Sequence, residues 1–158
     1  MTYEEWVGLV PKQIRDDALW RLEAYRLGLF VADLGWYDMT RLTKDSMMRE
    51  LADQLYRAVG SISANIAEGY SHRSNKEKAR FYEYALGSAR ESRDWYFKAR
   101  HGLGPAVVEH RIDLLTRIIR LLITMVPEQR LRSVKEVDGD YEVGLHSREN
   151  IPFDPIDP

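Results

Sequence analysis

Residues 105–127 read PAVVEHRIDLLTRIIRLLITMVP, and this stretch decides the fold. Val108, Ile112, Leu115, Ile119, Leu122 and Val126 recur at alternating steps of four and three, the spacing that lays apolar side chains along one face of an α-helix. Leu114, Ile118, Leu121 and Met125 form a second stripe beside the first. Together they make an apolar arc wider than a surface helix needs. This helix is therefore expected either deep in the core or with its outer side against another subunit. Pro105 suits the first turn, where its missing N–H is not needed, and Pro127 is expected to close the helix.

The same alternation runs upstream through Met48, Leu51, Leu55, Val59, Ile62 and Ile66, predicting a helix over about 44–68. Thr43 is expected to cap its start, and Gly69 to follow its end with a positive φ. Ser74-Asn75-Lys76-Glu77 has the capping-box spacing and opens a third helix running to about Arg100. The seam of that helix (Phe81, Ala85, Ser88, Ser92, Trp95, Ala99) is mostly small, so a neighbour can approach closely. A first long helix is expected over Asp16–Leu34, with stripes Trp20, Ala24, Leu27, Val31, Leu34 and Leu22, Tyr25, Leu29, Ala32. Thr2-Tyr3-Glu4-Glu5 has the cap of a short helix ending before Pro11. Four helices of about 19–26 residues span ~28–39 Å at 1.5 Å per residue. The short connections at 70–74 and 101–104 force antiparallel neighbours, so the expected fold is all-α, an up-down-up-down four-helix bundle. The expected division is an N-terminal segment 1–15, the bundle 16–127 and a loosely ordered acidic tail 128–158. Trp36, Tyr37 and Met39 fall in the expected first connection and Trp6 near the N-terminus, where large apolar groups plug a bundle end or anchor a subunit contact.

Composition narrows the function. The chain has 158 residues, 44% of them hydrophobic and 30% charged, as expected for one globular domain. It has no cysteine, which excludes disulfides, thiolate metal sites and thiol catalysis. No run approaches the ~20 apolar residues of a membrane span, and Met1–Glu5 has neither a basic nor an apolar leader region. A cytoplasmic protein with no membrane partner is expected. The net charge of −2 hides an asymmetry: residues 1–132 hold 21 Lys and Arg against 18 Asp and Glu, whereas 133–158 hold 2 against 7. A mildly basic body thus carries an acidic tail, which either aids solubility or competes with an acidic partner.

One stretch is specific beyond periodicity. Arg57 to Tyr70 reads RAVGSISANIAEGY; Arg73-Ser74 and Phe81 follow, and then Ala85 to Glu91 reads ALGSARE. Over about residues 16–127 this resembles the bacterial "four helix bundle protein" family, marked by a Ser-Ile-x-x-Asn-Ile-Ala-Glu-Gly segment and an Ala-x-Gly-Ser-x-x-Glu segment. Its members are encoded in intervening sequences of large-subunit ribosomal RNA genes and elsewhere in bacterial genomes. The accessory variability protein of diversity-generating retroelements, which assists a reverse transcriptase, is a relative. The resemblance implies a ring-like homopentamer with an RNA- or DNA-binding role, and a reverse transcriptase or another protein as partner. The chain departs from the pattern at Ser63, where proline is frequent, and in its tail, which extends beyond the usual family end.

Ser61, Asn65 and Glu68 share one face of the second helix, and Ser88 and Glu91 one face of the third. Polar groups beside an apolar seam cost roughly 1–3 kcal/mol each when unpaired. The expectation is a structural polar network among these five residues, with Arg57 or Arg90 as counter-charge, in preference to an acid/base or metal pair. A di-iron bundle needs Glu-x-x-His motifs, and His72, His101, His110 and His146 supply none, so no metal or other cofactor is expected. Phosphate loops, nucleophile elbows and His-Glu-x-x-His are absent from the sequence, so no catalytic residues are assigned and no enzyme is expected. Gly60 and Gly87 sit mid-helix, where glycine most simply permits close packing.

Basic residues are the stronger lead. Arg73, Lys76, Lys78 and Arg80 crowd the second loop and the start of the third helix, where cations oppose the helix dipole and gain no local stability. That placement points to an outside polyanion, with free N–H groups adding to phosphate binding. Further cations lie on the last helix (Arg111, Arg117, Arg120) and the third (Arg90, Arg93, Lys98, Arg100). Binding through the nucleic-acid backbone with little sequence preference is expected. The alternative is a protein–protein interaction module whose basic residues are incidental, with Glu77, Glu83 and Asp94 balancing a solvated face.

Overall fold

The Thr2 hydroxyl accepts from the Glu5 N–H, while the Glu5 carboxylate accepts from the Thr2 N–H at 2.7 Å. This reciprocal cap starts α1 (Tyr3–Leu9), as the spacing predicts. The computed structural model describes the backbone of residues 2–138 and the side chains of residues 2–132. Every regular element among the described residues is helical. After Pro11 comes the single turn α2 (Lys12–Arg15). Asp17 then accepts from the Leu19 N–H at 2.8 Å and caps a 3-10 turn over Ala18–Arg21. Leu22 is extended (φ −75°, ψ 111°), and only then does α3 (Glu23–Leu42) begin.

The first long helix is therefore displaced from the expected Asp16–Leu34. The Asp17 cap sets the later start. Helix α3 also continues through Gly35, because this glycine is buried where α4 crosses: a Cβ there would lie 2.9 Å from Val59 Cγ2. Trp36, Tyr37 and Met39 are helical rather than in a connection.

Asp45, not Thr43, caps the next turn, accepting from the Met47 N–H at 2.9 Å. The helix α4 (Arg49–Ser71) follows. Gly69 lies inside α4 rather than after it, and a Cβ there would meet Tyr82 Cε1 at 2.9 Å. Close approach, not a positive φ, explains that glycine. The positive φ belongs to Gly104, at 85°. The capping box expected at 74–77 does not form: Ser74 makes no side-chain cap, and the Glu77 carboxylate turns to Arg80 instead. Then come α5 (Asn75–Lys98), the single turn α6 (Arg100–Leu103) and α7 (Pro105–Asp138).

Pro127 does not end α7. A proline inside a helix removes one backbone bond and costs about 3 kcal/mol or more. Here its ring is exposed, while Met125, Val126 and Gln129 on the other side are buried, and Arg130 pairs with Glu83. Tertiary packing overrides the breaker, so residues 128–138 are helix rather than tail. The remainder of the expected acidic tail lies outside the described residues.

Helix α5 packs against both α4 and α7, and α3 packs against α4 and α7. Their shared core includes Leu27, Val31, Leu55, Val59, Ile62, Ile66, Tyr82, Leu115, Leu122 and Met125. Each such side chain contributes about 1.5–3 kcal/mol on full burial. Trp6, Val10, Phe30 and Leu34 form a second cluster under α1, with Leu114 packed against it. Ile118, Leu121 and Met125 of the second α7 stripe are buried within the chain, so that wide arc does not call for another subunit. Ala85, Ser92 and Ala99 of the expected α5 seam are buried, but Tyr82, Ala89 and Tyr96 complete the seam, whereas Phe81, Ser88 and Trp95 are half-buried. Among the described residues no helix is long and apolar enough to cross a membrane.

Candidate nucleic-acid interface

The link between α4 and α5 gathers part of the expected basic cluster. Arg73 and Lys76 are exposed and make no ion pair among the described residues. Lys76 and Arg80, four apart, share the outer face of α5. Lys78 sits about 200° round the helix from Lys76 and is half-buried, so it is separated from the other three. Arg80 is held in place: its Nη1 lies 3.4 Å from Glu77, its Nε donates to the Tyr84 hydroxyl at 2.8 Å, and its guanidinium sits 5.6 Å from the Tyr84 ring centroid. The Tyr84 hydrogen bond, and then the neighbouring charges, raise its pKa further, so it stays a cation. Beside it His72 stacks on Phe81 (4.9 Å, 16°), and Phe81 meets Tyr84 edge-on (5.7 Å, 88°).

The expected cations of α7 are mostly spent inside the chain. Arg111 donates to the Asp38 carboxylate through Nε at 2.8 Å and Nη2 at 3.3 Å, and the Tyr96 hydroxyl donates to the same carboxylate at 2.9 Å. This buried arrangement ties α3, α5 and α7 together. Burial first, then the Asp38 charge, raises the Tyr96 pKa far above its ordinary range. Burial, followed by Arg111, lowers that of His110, whose Nδ1 lies 2.8 Å from Arg111 Nη1. Arg117 pairs with Glu23, Lys98 with Asp94 at 2.5 Å, and Arg93 donates to the Thr116 hydroxyl at 3.3 Å. Sequence reasoning missed Asp38 because it ended the helix at Leu34. The signal was present: Asp38 continues the stripe Ala24, Leu27, Val31, Leu34 and precedes Leu42, and a carboxylate on a buried stripe needs a cation.

The expected network of Ser61, Asn65, Glu68, Ser88 and Glu91 is not assembled within the chain. Ser61 donates to the Ala58 carbonyl at 2.8 Å, Asn65 to the Ser61 carbonyl at 2.8 Å, and Ser88 to the Tyr84 carbonyl at 3.0 Å. Glu91 accepts from Trp95 Nε1 at 3.1 Å, and Glu68 is exposed with no partner among the described residues. These side chains lie on the outer flanks of α4 and α5, where the carbonyl one turn back is the nearest acceptor. Arg57 and Arg90 form no ion pair with either glutamate among the described residues. Gly60 and Gly87 do not permit close packing either, since a Cβ at each would meet nothing within 4 Å. No group of three or more His, Cys, Asp or Glu among the described residues is placed to hold a metal ion.

A family model for the 23S rRNA-intervening sequence protein matches residues 24–125. The chain belongs to that family. In this intervening-sequence protein the match takes in nearly all of α3, all of α4 and α5, and α7 as far as Met125. It therefore includes the link with Arg73 and Lys76, and it leaves out α1 and the helical extension past Pro127. No curated protein and no solved structure gives a significant match.

Proposed function

We propose that this intervening-sequence protein is a non-catalytic, self-assembling cytoplasmic scaffold that binds RNA or DNA through the phosphate backbone. The observation that carries the proposal is the α4–α5 corner, where Arg73 and Lys76 stand exposed, without an ion pair among the described residues, beside the anchored Arg80. Membership of an rRNA intervening-sequence family fits an RNA-associated accessory role. In this proposal α3, α4, α5 and α7 run up-down-up-down, since short links return each to its neighbour. Assembly rests on the exposed aromatics of α3: Trp36 is 53% and Tyr37 63% exposed, and Trp36 meets Tyr56 edge-on at 5.9 Å. A ring, the pentamer implied by the resemblance, would repeat the basic corner once per subunit and raise avidity without new contacts. A reverse transcriptase or another protein is the candidate protein partner.

Filter binding of structured RNA and DNA at two salt concentrations tests the proposal. Affinity should fall steeply with salt, as counterion release dictates. Arg73→Glu with Lys76→Glu should weaken it sharply. Removing residues 139–158, which hold five Asp and Glu against one Arg, should strengthen it. Light scattering should return a multiple of 18.5 kDa at micromolar concentration, and the monomer mass would remove the scaffold part. The second reading, a protein-interaction module, is favoured by the internal pairing of Arg111 and Arg117, and absence of nucleic-acid binding at low salt would leave it standing.

A further inference from the structure

Next to the Arg73–Lys76 corner lies a trough that backbone binding leaves unused. It is a wide-open depression rather than an enclosed cavity, lined by Ala64, Ala67, Glu68 and Ser71 of α4 and by His72 of the link. Two of its lining residues, Ala64 and Ala67, are small and apolar. On one side stands the His72 imidazole, already stacked on Phe81 at 4.9 Å, and Phe81 is in turn braced edge-on by Tyr84. A braced ring of this kind offers a face to a further planar ring, the way proteins hold bases of unpaired RNA.

Glu68 sets which ring fits. It is exposed and has no hydrogen-bond or ion-pair partner among the described residues. A carboxylate beside a phosphate-binding corner repels the strand unless it contacts something else. An ionised carboxylate only accepts hydrogen bonds, through two oxygens side by side. Its complement is an edge with two adjacent N–H donors. Guanine has that edge in its N1–H and N2 amino group. Adenine and cytosine place one amino group beside an acceptor nitrogen, and uracil places one N–H between two carbonyls. That edge of guanine is free only when the base is unpaired.

We propose that the Glu68–His72 trough binds the base of an unpaired guanosine in an RNA strand. The ring stacks on His72, the N1–H and N2 amino group donate to the Glu68 carboxylate, and the flanking phosphates lie on Arg73 and Lys76. The proposal rests on backbone binding at that corner and adds a base preference to it.

Oligouridines with one central guanosine, inosine or adenosine, titrated into the full chain by fluorescence anisotropy at low salt, test it. Guanosine should bind about fivefold or more tighter than adenosine, the lower end of what a bidentate base contact discriminates. Inosine, which lacks the N2 amino group, should fall between them. Glu68→Gln should erase the guanosine preference and, by removing a negative charge that adenine leaves uncontacted, tighten the adenosine oligonucleotide. Arg73→Glu with Lys76→Glu should weaken all three alike and lower the salt slope, by about 0.7 per lost phosphate contact on a single strand. Equal binding of all three by the wild-type chain overturns the guanosine site and keeps backbone binding. A preference surviving in Glu68→Gln does the same. No binding of any oligonucleotide at low salt overturns both.

Discussion

In Asp38→Ala the carboxylate that joins α3 to α5 and α7 disappears while its two partners stay. The Arg111 and Asp38 side chains are 13% and 7% exposed, so little water replaces what is lost. Removing one partner of a buried ion pair costs about 3–5 kcal/mol, because the other charge is left uncompensated. The Tyr96 hydroxyl, 2.9 Å from the same carboxylate, loses its acceptor too. A buried unsatisfied hydroxyl costs about 1–3 kcal/mol, but the two losses share one site and do not add fully. Arg111 keeps His110 Nδ1 at 2.8 Å, which limits the damage. The expected loss is therefore about 3–5 kcal/mol by urea unfolding with an unchanged m value. Converted at about 2–4 °C per kcal/mol, that lowers Tm by about 6–20 °C. Asp38→Leu combined with Arg111→Met should recover the part of the loss that belongs to the ion pair, since a buried pair replaced by apolar groups of similar size is often neutral or stabilising. It should leave only the cost of the Tyr96 hydroxyl without its acceptor. A loss below about 1 kcal/mol in Asp38→Ala, the level of an ordinary surface ion pair, would refute the reasoning. So would a double variant as damaged as the two single variants added together.

Burial, then the charge of Tyr70, pushes the Tyr82 pKa up from 10.0 to about 12. The folded value lies above the unfolded one, so that stability is intact below about pH 10 and is lost as pH rises toward 12. Tyr82→Phe should spare about 1 kcal/mol of that alkaline loss between about pH 9 and 11, read from urea midpoints. The full loss of about 3 kcal/mol is reached only above about pH 12. An identical alkaline profile in the variant would contradict the assignment. Gly69→Ala sets a Cβ 2.9 Å from Tyr82 Cε1 and 3.0 Å from Phe81 Cβ, so it should destabilise by about 1–2 kcal/mol despite a better helix former. Gly60→Ala and Gly87→Ala, with nothing to meet, should instead raise stability by about 0.5–1 kcal/mol, and the same sign at all three positions would be the wrong result. Glu68→Ala should shift stability by no more than about 0.5 kcal/mol in urea unfolding, and a larger loss would place its carboxylate in a structural bond.

The helical character was legible because apolar spacing is imposed by burial itself. Leu55, Val59, Ile62 and Ile66 lie on the side of α4 that burial requires, and they read that way before any contact is known. Helix ends were read less well, because they depend on local competition that spacing does not encode. Asp17 and Asp45 each cap a 3-10 turn that precedes its long helix, and the apolar spacing gives no sign of those turns. Pro127 was expected to close its helix and Leu34 to end another, yet packing on Gln129 and against Val59 carries both helices further. The candidate site was legible in part. Arg73, Lys76 and Arg80 were visible as a run of cations. That Lys78 faces elsewhere follows from helix rotation, and that Arg111 is spent on Asp38 follows from a contact 73 residues apart in sequence. Sequence proximity counts charges but does not say which are already paired.

The two-part family motif divides along the same line. Ile62, Ile66 and Gly69 answer to the interior: the isoleucines are fully buried, and Gly69 lets the Tyr82 ring approach. Ala85 and Ala89 do the same from the α5 side. Ser61, Asn65 and Glu68 form no hydrogen bond or ion pair with another helix among the described residues, and a Cβ at Gly87 would meet nothing within 4 Å there. The hydroxyl and the amide reach only their own helix backbone, the carboxylate points to solvent, and the glycine leaves open space where a side chain would fit. Interior packing would accept larger groups at Gly87 and an uncharged one at Glu68 without cost. Small, polar and flat surfaces of this kind are what a strand or a second chain needs for close approach. The outward half of the motif is therefore the part that interior packing leaves unexplained, and the guanosine titrations with Glu68→Gln are the measurement that would assign it a partner.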